Sequence, residues 1–143
     1  MVEEVLLGVA RLGARTAPLP TALLGTKKPL RAFIGHIEPT FDWTIRDPTN
    51  RQVLTTSLQQ ALYEHMHQQP PEPVGMAFRE FFREVAALYQ GWDTVKSSLA
   101  EEVDPVKRGE AEKVAARLKL NALDRRSFVI LGDPTVALPP FRP

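Results

Sequence analysis

Within residues 30–43, Leu-Arg-Ala-Phe-Ile-Gly-His-Ile-Glu-Pro-Thr-Phe-Asp-Trp, the positions Ala32, Phe33, Ile34 and Ile37 form a short apolar run with aromatic and β-branched members. Lys27-Lys28-Pro29 before it and Glu38-Pro39 after it act as breakers, so the run predicts a strand over about 30–37 that is apolar on both faces. A second run, Ser127 to Leu131, stops at Gly132-Asp133-Pro134 and predicts another strand over about 127–131. Strands without polar alternation suit a parallel sheet covered by helices, and helical periodicity fills the interval between the two runs. The expected class is α/β, with two parallel-type strands and several covering helices.

The helical pattern begins at the N-terminus, where Val2, Val5, Leu6, Val9 and Leu12 would line one face of a helix ending near Gly13. Arg15 to Pro20 is too rich in proline to be helical, and Thr21 to Leu24 reads as a single turn closed by Gly25. A loop from Glu38 to Asn50 follows the first strand; loops at the carboxyl ends of parallel strands are where α/β proteins build sites. Leu54, Leu58, Ala61, Leu62 and His65 or Met66 then give a stripe over Arg51 to His67. Pro73 suits the first turn of a helix carrying Val74, Ala77, Phe78, Phe81, Phe82, Val85, Leu88 and Tyr89, the strongest periodic signal in the chain. Trp92, Val95 and Leu99 predict a broken continuation to about Glu102. Asp104-Pro105 separates this from a charged helix, Val106 to Leu123, whose narrow face of Val114, Ala115, Leu118 and Ala122 suits a peripheral element.

Composition narrows the classes. The 143 residues are one domain's worth, 43% hydrophobic and 24% charged, so disorder is not the expectation. Eighteen basic and 17 acidic side chains leave a net charge of +1, with no global field toward nucleic acid or an acidic membrane. The absence of cysteine excludes a disulfide framework, a thiolate metal site and a cysteine nucleophile within these residues. Glu3 and Glu4 stand where a secretory signal carries basic residues, and the apolar run Val5-Leu6-Leu7 is too short to span a bilayer, so a cytoplasmic chain is expected.

Candidate chemistry is sparse. His36, with Glu38 and Asp42 beyond it, offers a base or metal ligand, but no third ligand is spaced to join it, and a structural hydrogen bond is the simpler role. His65 and His67 are two apart on a helix and point about 200° apart, so they do not chelate one ion. Asp133 suits a turn better than a site carboxylate. Between Pro105 and Arg126, Lys107, Arg108, Lys113, Arg117, Lys119, Arg125 and Arg126 face only Glu110, Glu112 and Asp124, yet no aromatics interleave them as in a nucleic-acid surface. Ser57, Ser97, Ser98 and Ser127 lack a nucleophile-elbow context, and no glycine-rich phosphate cradle precedes a helix. No catalytic residue, metal or cofactor is assigned.

Ala17-Pro-Leu-Pro-Thr-Ala-Leu-Leu-Gly25, Arg31-Ala-Phe-Ile-Gly-His-Ile-Glu38 with Trp43, and Ser127-Phe-Val-Ile-Leu-Gly-Asp-Pro-Thr-Val-Ala-Leu-Pro139 together resemble the caspase-like cysteine peptidases of bacteria. That group includes gingipain-type peptidases and CHAT domains sharing the caspase/haemoglobinase fold. The Val74-Gly75-x-Ala77 start with its Phe-rich continuation resembles the segment that such proteins place before the final strand. The resemblance covers about Ala17 to Pro139 and implies a partial fold. Residues 1–25 would be an N-terminal helix and linker, 26–139 the C-terminal half of the domain, and 140–143 a tail. The family's catalytic histidine and cysteine lie upstream of everything matched, and His36 does not correspond to that histidine.

The resemblance implies a non-catalytic half that completes the sheet and rims the substrate cleft with Glu38, Asp42 and Trp43, while His36 and Asp133 are structural polar groups. Its partner would be the missing N-terminal half or another protein chain, with a peptide substrate in the assembled form. Neither nucleic acid nor membrane is expected. The alternative is a stand-alone protein-interaction module on a degenerate fold of this type, and a histidine enzyme built on His36, Glu38 and Asp42 is a third reading.

Overall fold

A computed structural model describes residues 2–15, 17–38, 40, 45–46 and 51–140. Helix α1 spans Val2–Leu12 and α2 spans Pro18–Leu24. The second helix begins earlier than the prolines suggested. Pro18 sits in its first turn, where a missing N–H costs no hydrogen bond, and Gly25 closes it by donating its N–H to the Thr21 carbonyl at 3.0 Å. Strand β1 follows at Ala32–His36.

The stripe expected over 51–67 is helical only from α3, Thr56–Gln59, which widens into a π-helical segment at Gln60–His65. Val53 instead forms an isolated bridge with Arg46. Helix α4, Val74–Ala77, turns at Phe78 into α5, Arg79–Leu99, which is 21 residues long and unbroken through Trp92. Helix α6, Pro105–Arg126, starts on an Asp104 cap whose carboxylate accepts the Val106 N–H at 2.9 Å. It is not peripheral. It lies along the length of α5 and buries Ala115, Asn121 and Ala122. The small side chains of Gly91, Ala115 and Ala122 allow this close approach, with Leu118 packed over Gly91.

Strand β2, Phe128–Gly132, pairs with β1, and the pair is antiparallel, contrary to the expected parallel arrangement. The reason is the path of the chain. Helices α5 and α6 form a hairpin that returns the chain to the carboxyl end of β1, so β2 starts opposite His36 and runs back toward Ala32. The register pairs Ala32 with Gly132, Phe33 with Leu131, Ile34 with Ile130, Gly35 with Val129 and His36 with Phe128. Ile37 donates to the Ser127 carbonyl at 2.9 Å and Asp133 to the Arg31 carbonyl at 2.8 Å, which extends the ladder by one bond at each end. In this alternation the N–H groups of Ile34 and Ile130 point away from the partner strand. Among the described residues no third strand meets either edge.

The two faces of the sheet are covered unequally. On one, Ala32, Ile34, Phe128 and Ile130 lie under α4, α5 and the π-helical segment, with Ala61, Val74, Ala77, Phe78, Phe81 and Phe128 as the buried core. The Phe78 and Phe128 rings stack at 5.2 Å, and Phe81 lies 5.0 Å from Phe128. Phe82, on the same predicted stripe, is exposed. On the other face, Phe33, Val129 and Leu131 line a groove of about 500 Å³ bounded by α2.

Gly132 closes β2 at φ +102°, and a Cβ there would lie 2.4 Å from the Arg31 carbonyl oxygen, so only glycine fits the turn out of the strand. The exit segment then docks on α4, where Val74 and Gly75 donate their N–H groups to the carbonyls of Val136 and Pro134 at 2.8 and 2.9 Å. These two donors open a helix and have no partner within it. The Gly-Asp-Pro ending and the Val74-Gly75 start, separate signals in the sequence, are thus one structural joint.

Candidate functional site

The carboxyl end of β1 opens into a cavity of about 360 Å³. Its apolar wall comes from Leu58 and Leu62 on the α3 and π-helical segment and from Phe81 on α5; His36, Asp124 and Arg125 supply polar groups. Each element contributes for a local reason. The apolar repeat of residues 58, 61 and 62 turns that segment onto the core. Arg125 arrives at the end of α6, where a cation complements the helix dipole.

Arg125 is held rather than free. Its guanidinium donates to the Glu84 carboxylate and to the Leu54 carbonyl, and its side chain is only 12% exposed. The Ser57 hydroxyl, itself buried, donates to the same Glu84 oxygen at 2.7 Å. This set ties together α3, α5, α6 and the segment before α3. Its neighbour Ser127 accounts for the other end. The hydroxyl lies 2.9 Å from the Leu123 carbonyl and 3.3 Å from Glu38 Oε2. One hydroxyl proton serves one acceptor at a time, and the shorter contact to Leu123 takes it, so Glu38 is only loosely tethered.

Among the residues singled out from the sequence, Glu38 is exposed at the end of β1, and His36 is exposed with its ring edge-on to Phe128 at 5.7 Å. Asp42 and Trp43 lie outside the described residues, as does most of the loop from 38 to 50. His65 faces Glu72 at 3.6 Å, and His67 Nδ1 lies 2.8 Å from the Leu62 carbonyl, so each engages its own surroundings and the two do not converge. No group of three His, Cys, Asp or Glu among the described residues could hold a metal ion.

Asp133 stands away from the cavity, at the joint between β2 and α4. Its Oδ1 accepts the Thr135 hydroxyl at 2.6 Å and the Thr135 N–H at 2.9 Å, and Arg31 approaches its other oxygen at 3.4 Å. The Thr135 hydroxyl, then its backbone N–H and the Arg31 charge, hold the carboxyl below the usual aspartate range. This is an Asx turn.

The Ser57–Glu84–Arg125 set was not legible in the sequence. Its members lie 27 and 41 residues apart, and Arg125 read as one more charge on a basic helix. The only hint was position, a basic pair at the end of a helix leading into an apolar strand.

Chemically, the cavity can enclose an apolar side chain beside polar groups at the strand end. It assembles no nucleophile with a base among the described residues. No described helix is long and apolar enough to cross a membrane. Comparison of the chain with models of known protein families, with curated proteins and with solved structures returns no match.

Proposed function

We propose that this chain is the non-catalytic C-terminal half of a caspase-like cysteine peptidase domain, which completes the sheet of that domain and lines its substrate cleft. One observation carries the reading: a sheet of only two five-residue strands, apolar on both faces, whose outward N–H groups meet no further strand among the described residues. Two-stranded sheets are marginal alone, and bare edges of this kind invite pairing.

In this role the added strands and the histidine–cysteine pair come from a partner half. The cavity beside His36 and the loop after β1, with Glu38, Asp42 and Trp43, face the peptide. No hydrolysis is expected of the chain alone, because acyl transfer needs an activated nucleophile beside its base. The antiparallel β1–β2 pair means that any added strand continues the sheet from an outer edge and does not insert between the two.

The test is co-expression with the reading frame that precedes it, followed by purification and a peptidase assay. A stoichiometric complex that cleaves peptide bonds, with neither chain active alone, is the expected result. Activity of this chain alone that disappears in His36→Ala would replace the proposal with a histidine enzyme. A second reading, a stand-alone interaction module, is favoured by the turn between α5 and α6, where Val103 and Val106 are exposed. In that case no partner half is found and the chain alone melts sharply.

A further inference from the structure

We propose that Arg125 is a positioning residue, which from the end of α6 holds the base of the loop between β1 and α3 and so sets the rim of the cavity beside His36. The proposal deepens the peptidase reading and rests on it for what the cavity receives. The base of that loop is a short antiparallel pairing. Arg46 bridges Val53, and Leu54 donates its N–H to the Ile45 carbonyl at 2.8 Å. Ile45 and Thr55, next to this pairing on its two sides, both line the cavity. A pairing this short is marginal by itself, so its place depends on what it is fastened to.

The fastening is the Leu54 carbonyl, which accepts from the Arg125 guanidinium. The same guanidinium donates to Glu84 on α5, so one planar group spans from the rigid helical hairpin to the loop base. Ser57, at the start of α3, donates to the same Glu84 oxygen at 2.7 Å and steadies the carboxylate. Little of the Arg125 side chain meets water, which strengthens each of these bonds. Its charge is already answered by Glu84, so the geometry gives it the work of a clamp and not of an anion ligand. Arginine suits that work because its fork presents five donors in fixed directions, whereas a lysine ammonium on a shorter stem serves the carboxylate and leaves the carbonyl. Arg125 also lines the cavity itself, so a shift at the clamp is felt directly at the wall.

The test compares Arg125→Lys and Arg125→Met with the parent chain by amide hydrogen exchange. Leu54 reports the loop base, and Phe82, whose N–H is bonded to the Phe78 carbonyl at 3.1 Å, reports opening of the core. The expected result is exchange at Leu54 faster by about tenfold or more in both variants, with Phe82 unmoved in Arg125→Lys, which keeps a cation beside Glu84. Glu84→Gln loosens the guanidinium from its other side and should move Leu54 in the same direction, which keeps the test open if Arg125→Met does not fold. In the complex with the preceding half, Arg125→Lys should raise KM more than it lowers kcat, because a displaced rim weakens binding. Three results overturn the proposal: exchange at Leu54 at the parent rate in Arg125→Lys, acceleration of Leu54 and Phe82 by the same factor, or a KM change with no change at Leu54. The second would make Arg125 a general support of the fold. Exchange is measured on the full chain alone, so an inactive complex counts against the peptidase reading and leaves the clamp to be decided by Leu54.

Discussion

The two faces of one sheet differ far more in what covers them than in what they contain. The inner face offers Ala32, Ile34, Phe128 and Ile130, and the outer offers Phe33, Val129 and Leu131. By composition each is a core face. The inner one is covered, because the stripe of residues 74, 77, 78 and 81 delivers two phenylalanines onto Phe128, whereas among the described residues the outer face receives only the short α2. Burial is a property of the chain's path as well as of its side chains.

The comparison can be broken most forcefully at Phe78, which is fully buried between Phe81 and Phe128. Phe78→Ala should lower unfolding stability by about 3–5 kcal/mol in denaturant titration, the range for a core phenylalanine truncation. A loss below about 1 kcal/mol would mean that the inner face is no better packed than the outer. Next in size is Gly132→Ala, expected to cost about 1–3 kcal/mol, since it forces a Cβ into the Arg31 carbonyl at a left-handed backbone position. Thermal melting checks it, and an unchanged midpoint would show that the exit turn is free to relax.

Phe33→Ala sharpens the contrast. Seen in the sequence, Phe33 was a core strand residue; the structure puts it half-exposed on the outer face, so truncation in the isolated chain should cost only about 1–2 kcal/mol. The cost should rise when a partner covers that face. An equal cost for Phe33→Ala and Phe78→Ala in the chain alone would contradict the inequality of the two faces. The smallest effect is at Asp133. Its folded carboxyl titrates below the ordinary aspartate value, so its contribution is present above that value and is lost as pH falls through it toward the lower folded value. Asp133→Asn should therefore lower the melting temperature slightly at neutral pH, and its difference from the parent chain should shrink as pH falls through that range.

Much of this was legible. Both strands, the phenylalanine stripe and the α1 pattern follow from periodicity, because apolar spacing reports directly which side chains share a face. Strand direction did not follow. A five-residue apolar run carries no arrow, and whether the chain returns to the start or the end of β1 depends on where a long helical hairpin deposits it. Nor did the unbroken α5, since Trp92, Val95 and Leu99 read as a broken continuation, whereas the helix runs through and Gly91 lets α6 come close. The site was the least legible. Glu84, Arg125 and Ser57 share no local spacing, and of the three cleft candidates only Glu38 lies among the described residues.

The central claim, that this sheet is completed by strands from elsewhere, is tested most directly by amide hydrogen exchange at Ile34 and Ile130, whose N–H groups face the two outer edges. In the chain alone both should exchange quickly compared with the paired amides of Phe33 and Leu131. On adding the preceding half of the domain, at least one should slow by about tenfold or more as it enters a new ladder. Exchange at both positions that is already slow in the isolated chain, or unchanged in the complex, would contradict the account.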